Sequence, residues 1–199
     1  MVDNQLKKQT ISGLVWKFAE RIGAQATSLV VSIVLARLLM PEDYGAIALI
    51  TIFISIFICV GVGLASQQLQ TEALNNWYPF LAKSQITPPD YVFPIVWGIL
   101  YILMGISIGL ILLTQEIKKS SCLLLFLLQL GLNFAWSFFF FYLENPAYGT
   151  VIILLLDVVV FGYTYKAYQV KKVSAYLFYP YIAWLFLATY LNLYIFVNN

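Results

Sequence analysis

The chain has 199 residues, of which 62% are hydrophobic and only 10% are charged. A soluble domain carries roughly 25% charged residues to cover its surface, so this composition predicts a protein that is surrounded by lipid. The formal net charge of only +2 argues against nucleic acid as a partner, and a chain with no histidine and two cysteines lacks the ligands for a zinc site or a histidine-bound haem iron.

The amino-terminal segment, residues 1 to about 56, carries motifs of its own. They are TISGLVWKF at 10–18, ERIGAQ at 20–25 and ARLLMPEDYG at 36–45. Together these motifs resemble the beginning of a polysaccharide exporter or flippase. Such exporters use many more helices around a central cavity, so the resemblance implies that this segment cannot transport alone. We therefore predict an exporter-like extension over residues 1–45, followed by a separate domain over residues 46–199.

The second domain contains the segments that are long and apolar enough to cross a bilayer, which takes about 20 residues in a helix. Five segments qualify: residues 46–66, 92–114, 121–143, 148–167 and 175–197. Short polar breaks follow the later segments and predict antiparallel neighbours, and no strand alternation of the barrel type is present. The predicted fold class is all-α, an integral membrane five-helix bundle with an extra N-terminal helix.

Lysines in the short loops predict the orientation of the bundle, because such residues stay on the cytoplasmic side. They lie between the second and third spans and between the fourth and fifth spans: Lys118, Lys119, Lys166, Lys171 and Lys172. The 67–91 loop then faces outward, with Lys83 as the exception to the rule. A helical bundle of this kind favours the inner membrane of a bacterium.

The apolar stretch of residues 22–40 has two possible placements. If it crossed the membrane, the basic residues before it would lie outside: Lys7, Lys8, Lys17 and Arg21. That arrangement breaks the charge rule that places the other loops. A helix lying along the cytoplasmic interface satisfies the rule, so we predict this placement and a cytoplasmic amino terminus.

Three of the spans carry polar and aromatic side chains at helical spacing, so that each set shares one face. The sets are Trp97 with Tyr101, Asn133 with Trp136 and Ser137, and Tyr181 with Trp184, Ala188 and Asn192. One interpretation is helix packing, with amides and hydroxyls bonded across helices. The other is a ligand pocket, because tryptophan offers a flat wall for a planar ligand and asparagine offers a neutral polar contact.

Over residues 76–192, the order and spacing of several motifs favour the second interpretation. These are NWY at 76–78, TPPD at 87–90, FPIVWGILYILMG at 93–105, LNFAWS at 132–137, PYIAW at 180–184 and LN at 191–192. The series resembles the translocator or tryptophan-rich sensory protein family, written TspO/MBR. The resemblance implies that Trp97, Asn133 and Trp184 line a ligand pocket and that Tyr78 hangs over it. Ala188 matches a small pocket-lining position of that family.

Three further features complete the set of candidate residues. The 67–91 loop is too long for a simple connector, and its aromatic residues and Pro88-Pro89 pair predict an ordered lid, the alternative being a loop that rests in the headgroups. Asp157 lies well inside a span, so it should face the bundle or be protonated. Asp157 and Tyr101 are further candidates for ligand contact, and the alternative for Asp157 is a hydrogen bond to a neighbouring tyrosine. Gly131 and Ala135 form a small-residue pair on the third span, and the resemblance implies a homodimer through that helix.

The leading functional hypothesis is a membrane receptor or carrier for planar hydrophobic ligands, with porphyrins as the best candidates. No cofactor or metal is expected, and porphyrin enters as a ligand. An enzymatic alternative is light-dependent oxidative breakdown of the bound porphyrin, which some members of the resembled family are reported to perform. A second alternative is an accessory protein of polysaccharide or glycolipid export, which would use the exporter-like extension.

Overall fold

A computed structural model describes residues 45–199 of the chain. The exporter-like motifs before residue 45 and the predicted interfacial helix lie outside the described residues. The remainder is helical, with six α-helices: α1 Ala46–Asn76, α2 Val92–Leu112, α3 Lys119–Ser137, α4 Pro146–Val170, α5 Lys172–Tyr176 and α6 Tyr179–Asn198. A short 3-10 helix, Tyr78–Phe80, follows α1, and a π-helical turn, Phe138–Tyr142, continues α3.

Five helical stretches are long and apolar enough to cross a membrane: Ala48–Asn76, Val92–Leu112, Lys119–Tyr142, Pro146–Val170 and Lys172–Asn198. Apolar side chains also cover much of their outer surface, as in Phe57 and Val158, which are 81% and 70% exposed. In water this surface would be strongly unfavourable, whereas in lipid it is well solvated. The predicted five-helix membrane bundle is therefore confirmed, and the chain is an integral membrane protein.

The first helix is longer than the sequence predicted. A span over residues 46–66 and a loop over 67–91 were expected, but α1 continues without a break to Asn76. Residues 67–76 contain neither glycine nor proline, and their Gln, Glu, Ala and Leu side chains favour a helix. At 1.5 Å per residue, α1 is about 46 Å long and exceeds the hydrocarbon core of about 30 Å. The connection to α2 is therefore shorter, residues 77–91.

The last span is divided rather than continuous. A span over residues 175–197 was expected, but α5 ends at Tyr176 and α6 begins at Tyr179. Pro180 explains the break, because a proline lacks the N–H that would donate to the carbonyl of Tyr176. Hydrogen bonds between residues three apart, such as that from Phe178 N–H to the carbonyl oxygen of Ala175 at 3.0 Å, connect α5 to α6.

The helices do not approach one another equally. The backbones of α1 and α2 lie close along their length, as do those of α3 and α4, and α4 also packs against α6. Gly105 of α2 permits the close approach of α1 and α2, because a Cβ at this position would meet the backbone of Ile56 in α1. The backbones of α2 and α6 come near each other at few points by comparison. The space between α2 and α6 is therefore available to large side chains.

Candidate functional site

Aromatic rings from α2 and α6 fill the space between these two helices. On α2, Trp97 lies against Tyr101, with ring centroids 5.6 Å apart. Trp97 also meets Tyr181 of α6 edge to face at 6.0 Å, and Phe93 meets Trp184 in the same way at 5.5 Å. We call these five residues the aromatic cluster. Its members recur every three or four positions along each helix, which is why the same faces meet.

Asn133 of α3 ties the aromatic cluster to a third helix. The Tyr101 hydroxyl donates to Asn133 Oδ1 at 2.6 Å, and Asn133 Nδ2 donates to the Tyr181 hydroxyl at 3.0 Å. All three residues are buried. This is the geometry of an interhelical strut. An amide has two N–H groups and two lone pairs, so one donor and one acceptor site of Asn133 are still available to a ligand.

Trp184 carries a polar atom that the surrounding side chains do not satisfy. Its Nε1 is buried and has no hydrogen-bond partner among the described residues. A buried N–H without an acceptor is costly and usually has a reason, such as a ligand or water at the site. The Trp184 indole can therefore offer a hydrogen bond as well as a flat wall.

The other predicted ligand-binding residues lie at different places. Ala188 of α6 is half-buried and packs against the same core as the aromatic cluster. Tyr78 is buried in a separate apolar cluster with Phe140 and Phe141, and its ring lies 5.7 Å from that of Phe141. The structure thus brings Trp97, Tyr101, Asn133 and Trp184 together and places Tyr78 in the loop beyond α1.

Tyr78 belongs to the loop of residues 77–91, which is fastened to the end of α6. Asn199 Oδ1 accepts from the Ala82 N–H at 2.8 Å, and the Ser84 hydroxyl lies 3.1 Å from that of Tyr190. The Lys83 ammonium lies 4.6 Å from the centre of the Tyr78 ring. Burial raises the pKa of Tyr78 to about 12, and the negative charge of Asp90 adds to this effect.

A second polar network joins α3, α4 and α6. Trp136 Nε1 donates to Asn192 Oδ1 at 2.8 Å, and Asn192 Nδ2 donates to the Thr150 hydroxyl at 2.7 Å and to the Pro146 carbonyl at 3.2 Å. The sequence marks Trp136 and Asn192 as members of polar faces but gives no sign that they bond each other. The two residues are 56 positions apart in the chain, and they meet only because α3 and α6 pack against the same helix, α4.

Asp157 faces the bundle, where it meets α6. The Thr189 hydroxyl of α6 donates to Asp157 Oδ2 at 3.0 Å, so the hydrogen-bond partner shown is a threonine and not the tyrosine that the sequence suggested. Within residues 45–199, no group of three or more His, Cys, Asp or Glu side chains is placed to hold a metal ion.

Comparisons with known proteins match most of the chain to one family of proteins. The model of the TspO/MBR family matches residues 55–197. Tryptophan-rich protein TspO of Chlorobaculum tepidum is 34% identical over 146 residues, which are 72% of this chain and 92% of that protein. The protein of the same name from Archaeoglobus fulgidus is 34% identical over 145 residues, 73% of this chain and 94% of its own length. Translocator protein of Homo sapiens is 35% identical over 145 residues, 70% and 84% of the two chains.

Proposed function

Because the chain belongs to the TspO/MBR family of membrane proteins, we propose that it binds porphyrins within its helix bundle. Membership of this family supports the role of a receptor or sensor. The ligand would stack on Trp97 and Trp184 and be oriented by Asn133, with the 77–91 loop as the lid above it. The protein would act as a receptor or carrier of planar hydrophobic molecules.

The observation that carries the proposal is the separation of α2 and α6. The backbones of α2 and α6 have few close contacts and are bridged by aromatic rings, so movement of these rings would form a slot with flat apolar walls. The unsatisfied Trp184 N–H and the remaining hydrogen-bonding capacity of Asn133 supply polar contacts at the edge of this slot. A mostly apolar site with a few convergent polar groups suits a planar ligand with polar substituents.

Binding requires the aromatic rings to move. A planar ligand between two rings needs about 7–8 Å between their planes, twice an ordinary carbon–carbon contact. The rings of Trp97 and Tyr181 now touch each other edge to face at 6.0 Å. The described conformation is therefore a closed one, and porphyrin binds by favouring a conformation in which α2 and α6 are further apart.

Titration of the purified protein with protoporphyrin IX tests the proposal, with quenching of tryptophan fluorescence and porphyrin absorbance as readouts. Trp97→Ala and Trp184→Ala should each weaken binding about three- to tenfold, because one aromatic wall is worth about 0.5–1.5 kcal/mol beyond its area. Phe186→Ala is the matched control, since this ring is on α6 but is 60% exposed to lipid. Deletion of residues 1–42 should leave binding unchanged. Saturable binding that is lost in neither tryptophan variant would place the site elsewhere.

Placement and assembly complete the proposal. The protein would lie in the inner membrane of a bacterium, with its amino terminus in the cytoplasm and the 77–91 loop outside. A second copy would pack on α3 at Gly131, which is exposed and where a Cβ would meet nothing within 4 Å, and at the half-buried Ala135. Residues 1–45 would form an exporter-like extension that does not contribute to ligand binding.

A further inference from the structure

A groove with a volume of about 370 Å³ opens at one end of the bundle, away from the aromatic cluster. The 77–91 loop forms one side through Trp77 and Leu81. The turn between α3 and α4 and the end of α6 form the other sides: Glu144, Asn145, Pro146, Ala147, Phe196 and Asn199. None of the predicted porphyrin-binding residues lines it. The volume lies at the lower end of the range for ligand sites, roughly 300–1,000 Å³.

The groove combines two aromatic rings with one negative charge. Trp77 and Phe196 supply the rings, and Glu144 is the one charged residue among those that line it. The two asparagines already have hydrogen-bond partners. The side chain of Asn145 accepts from the Tyr148 N–H at the start of α4, and that of Asn199 accepts from the Ala82 N–H. Glu144 forms no ion pair with any residue of the described part of the chain. Because Glu144 lines the same groove as Trp77 and Phe196, its carboxylate and the aromatic faces can together attract an ammonium group.

Glu144 also has an unusual backbone. Its φ angle is 50°, the left-handed region that glycine or asparagine adopts more readily than a longer side chain. Strain of this kind often marks a functional position. A structural explanation is available as well, because a carboxylate just before Pro146 interacts favourably with the positive end of α4. The two explanations differ in what removal of the carboxylate should do.

The position of the groove indicates where an ammonium group would come from. Its lining comes from the residue that follows α1, from the start of α4 and from the last turns of α6, which are the ends of membrane spans. Span ends border the headgroup layer, and aromatic rings are common there. Aromatic residues that only border the headgroup layer do not require a carboxylate between them.

We propose that this groove binds the ammonium group of a phospholipid headgroup, of the phosphocholine or phosphoethanolamine kind, from the leaflet at this end of the bundle. The ammonium would lie between Trp77 and Phe196 and against the Glu144 carboxylate. Since the groove has the 77–91 loop on one side and the bundle on the other, the headgroup would contact both. The proposal is independent of porphyrin binding.

Native mass spectrometry of the purified protein tests this assignment. The protein is incubated with equal amounts of phosphatidylcholine, phosphatidylethanolamine and phosphatidylglycerol that carry identical acyl chains. We expect the first two lipids to be retained in preference to the third, and choline chloride, but not glycerol phosphate, to displace them. Trp77→Leu should reduce retention of the ammonium lipids about two- to fivefold, the range for a cation–π contact at an exposed site. Glu144→Gln should reduce it by up to about fivefold, the upper end for an exposed ion pair.

Two further variants separate recognition from folding. Glu116→Gln removes an exposed carboxylate from the loop at the other end of the bundle and should leave lipid retention unchanged. Glu144→Gly removes the carboxylate and also relieves the left-handed backbone, so it should fold well and still lose the preference. Equal retention of phosphatidylglycerol by the wild-type protein would overturn the proposal. So would a lower melting temperature of Glu144→Gln with an unchanged lipid preference, which is the result expected if the carboxylate only stabilises α4.

Discussion

A single amide, that of Asn133, connects α2, α3 and α6. In lipid, an asparagine that lacks partners is costly, so its two hydrogen bonds to Tyr101 and Tyr181 account for its place inside the bundle. The strut interpretation thus has direct support in the geometry. The pocket interpretation requires that the same amide also reach a ligand, which its unused donor and acceptor allow.

Replacement of Asn133 separates these two roles. Asn133→Leu should lower the melting temperature, because it removes two hydrogen bonds worth about 0.6–1.7 kcal/mol each in membranes. Tyr101→Phe and Tyr181→Phe each remove one of the bonds and should cost about half as much. If Asn133 also contacts the ligand, Asn133→Leu should change the affinity order of porphyrins that differ in their polar substituents, whereas Tyr181→Phe should not. An unchanged order would leave Asn133 as a strut alone.

Tyr78 predicts a pH dependence for the loop that carries it. Burial raises the pKa of Tyr78 to about 12, whereas a tyrosine in an unfolded chain ionises near 10. The neutral phenol is thus favoured in the folded state, and its contribution is complete below about pH 10 and lost as the pH rises toward 12. The stability difference between the wild-type protein and Tyr78→Phe should fall by about 1–3 kcal/mol across this range. Melting temperatures of both proteins from pH 9 upward check this, and a constant difference would contradict it.

At the scale of the elements, contact between α1 and α2 depends on glycine. A Cβ at Gly105 would approach the Ile56 backbone closely, with Ile56 N only 2.7 Å away, and backbone cannot yield as a flexible side chain can. Close approach through small residues is the usual way in which helices associate in lipid. By contrast, the backbones of α2 and α6 come near each other at few points, and aromatic rings occupy the space between them.

Two alanine substitutions on α2 test this dependence. Gly105→Ala should destabilise the bundle by about 1–3 kcal/mol, the usual cost of overpacking a close contact. Gly98→Ala is the matched control on the same helix, because a Cβ there meets nothing within 4 Å. It should be neutral or slightly stabilising, since alanine favours a helix over glycine by about 1 kcal/mol. Thermal unfolding in detergent measures both, and equal effects would show that the α1–α2 contact can adjust.

At the scale of the whole molecule, the lysine distribution predicts which loops share a side of the membrane. Both native cysteines, Cys59 and Cys122, are buried, so single cysteines placed in loops can be labelled selectively. In intact cells, a membrane-impermeant maleimide should label Lys83→Cys but label Lys118→Cys and Lys8→Cys only after permeabilisation. Labelling of Lys8→Cys from outside would mean that residues 22–40 cross the membrane.

The sequence determined the class of the fold, because five long apolar segments can be solvated only by lipid and must satisfy their backbones as helices. The resemblance to the TspO/MBR family identified Trp97, Asn133 and Trp184 as candidate pocket residues, whereas helical spacing showed only that each shares a face with other polar or aromatic residues. Three features depended on tertiary structure. Helix α1 can run on to Asn76 by its local sequence, but what its last turns meet is tertiary: they pack on the π-helical turn and bond Ser137 through Gln70. Asn133 bonds two tyrosines, and Glu144 lines a groove with Trp77 and Phe196, because distant segments meet there. Periodicity assigns each side chain to a face of its own helix, but the partner it meets depends on how the helices pack.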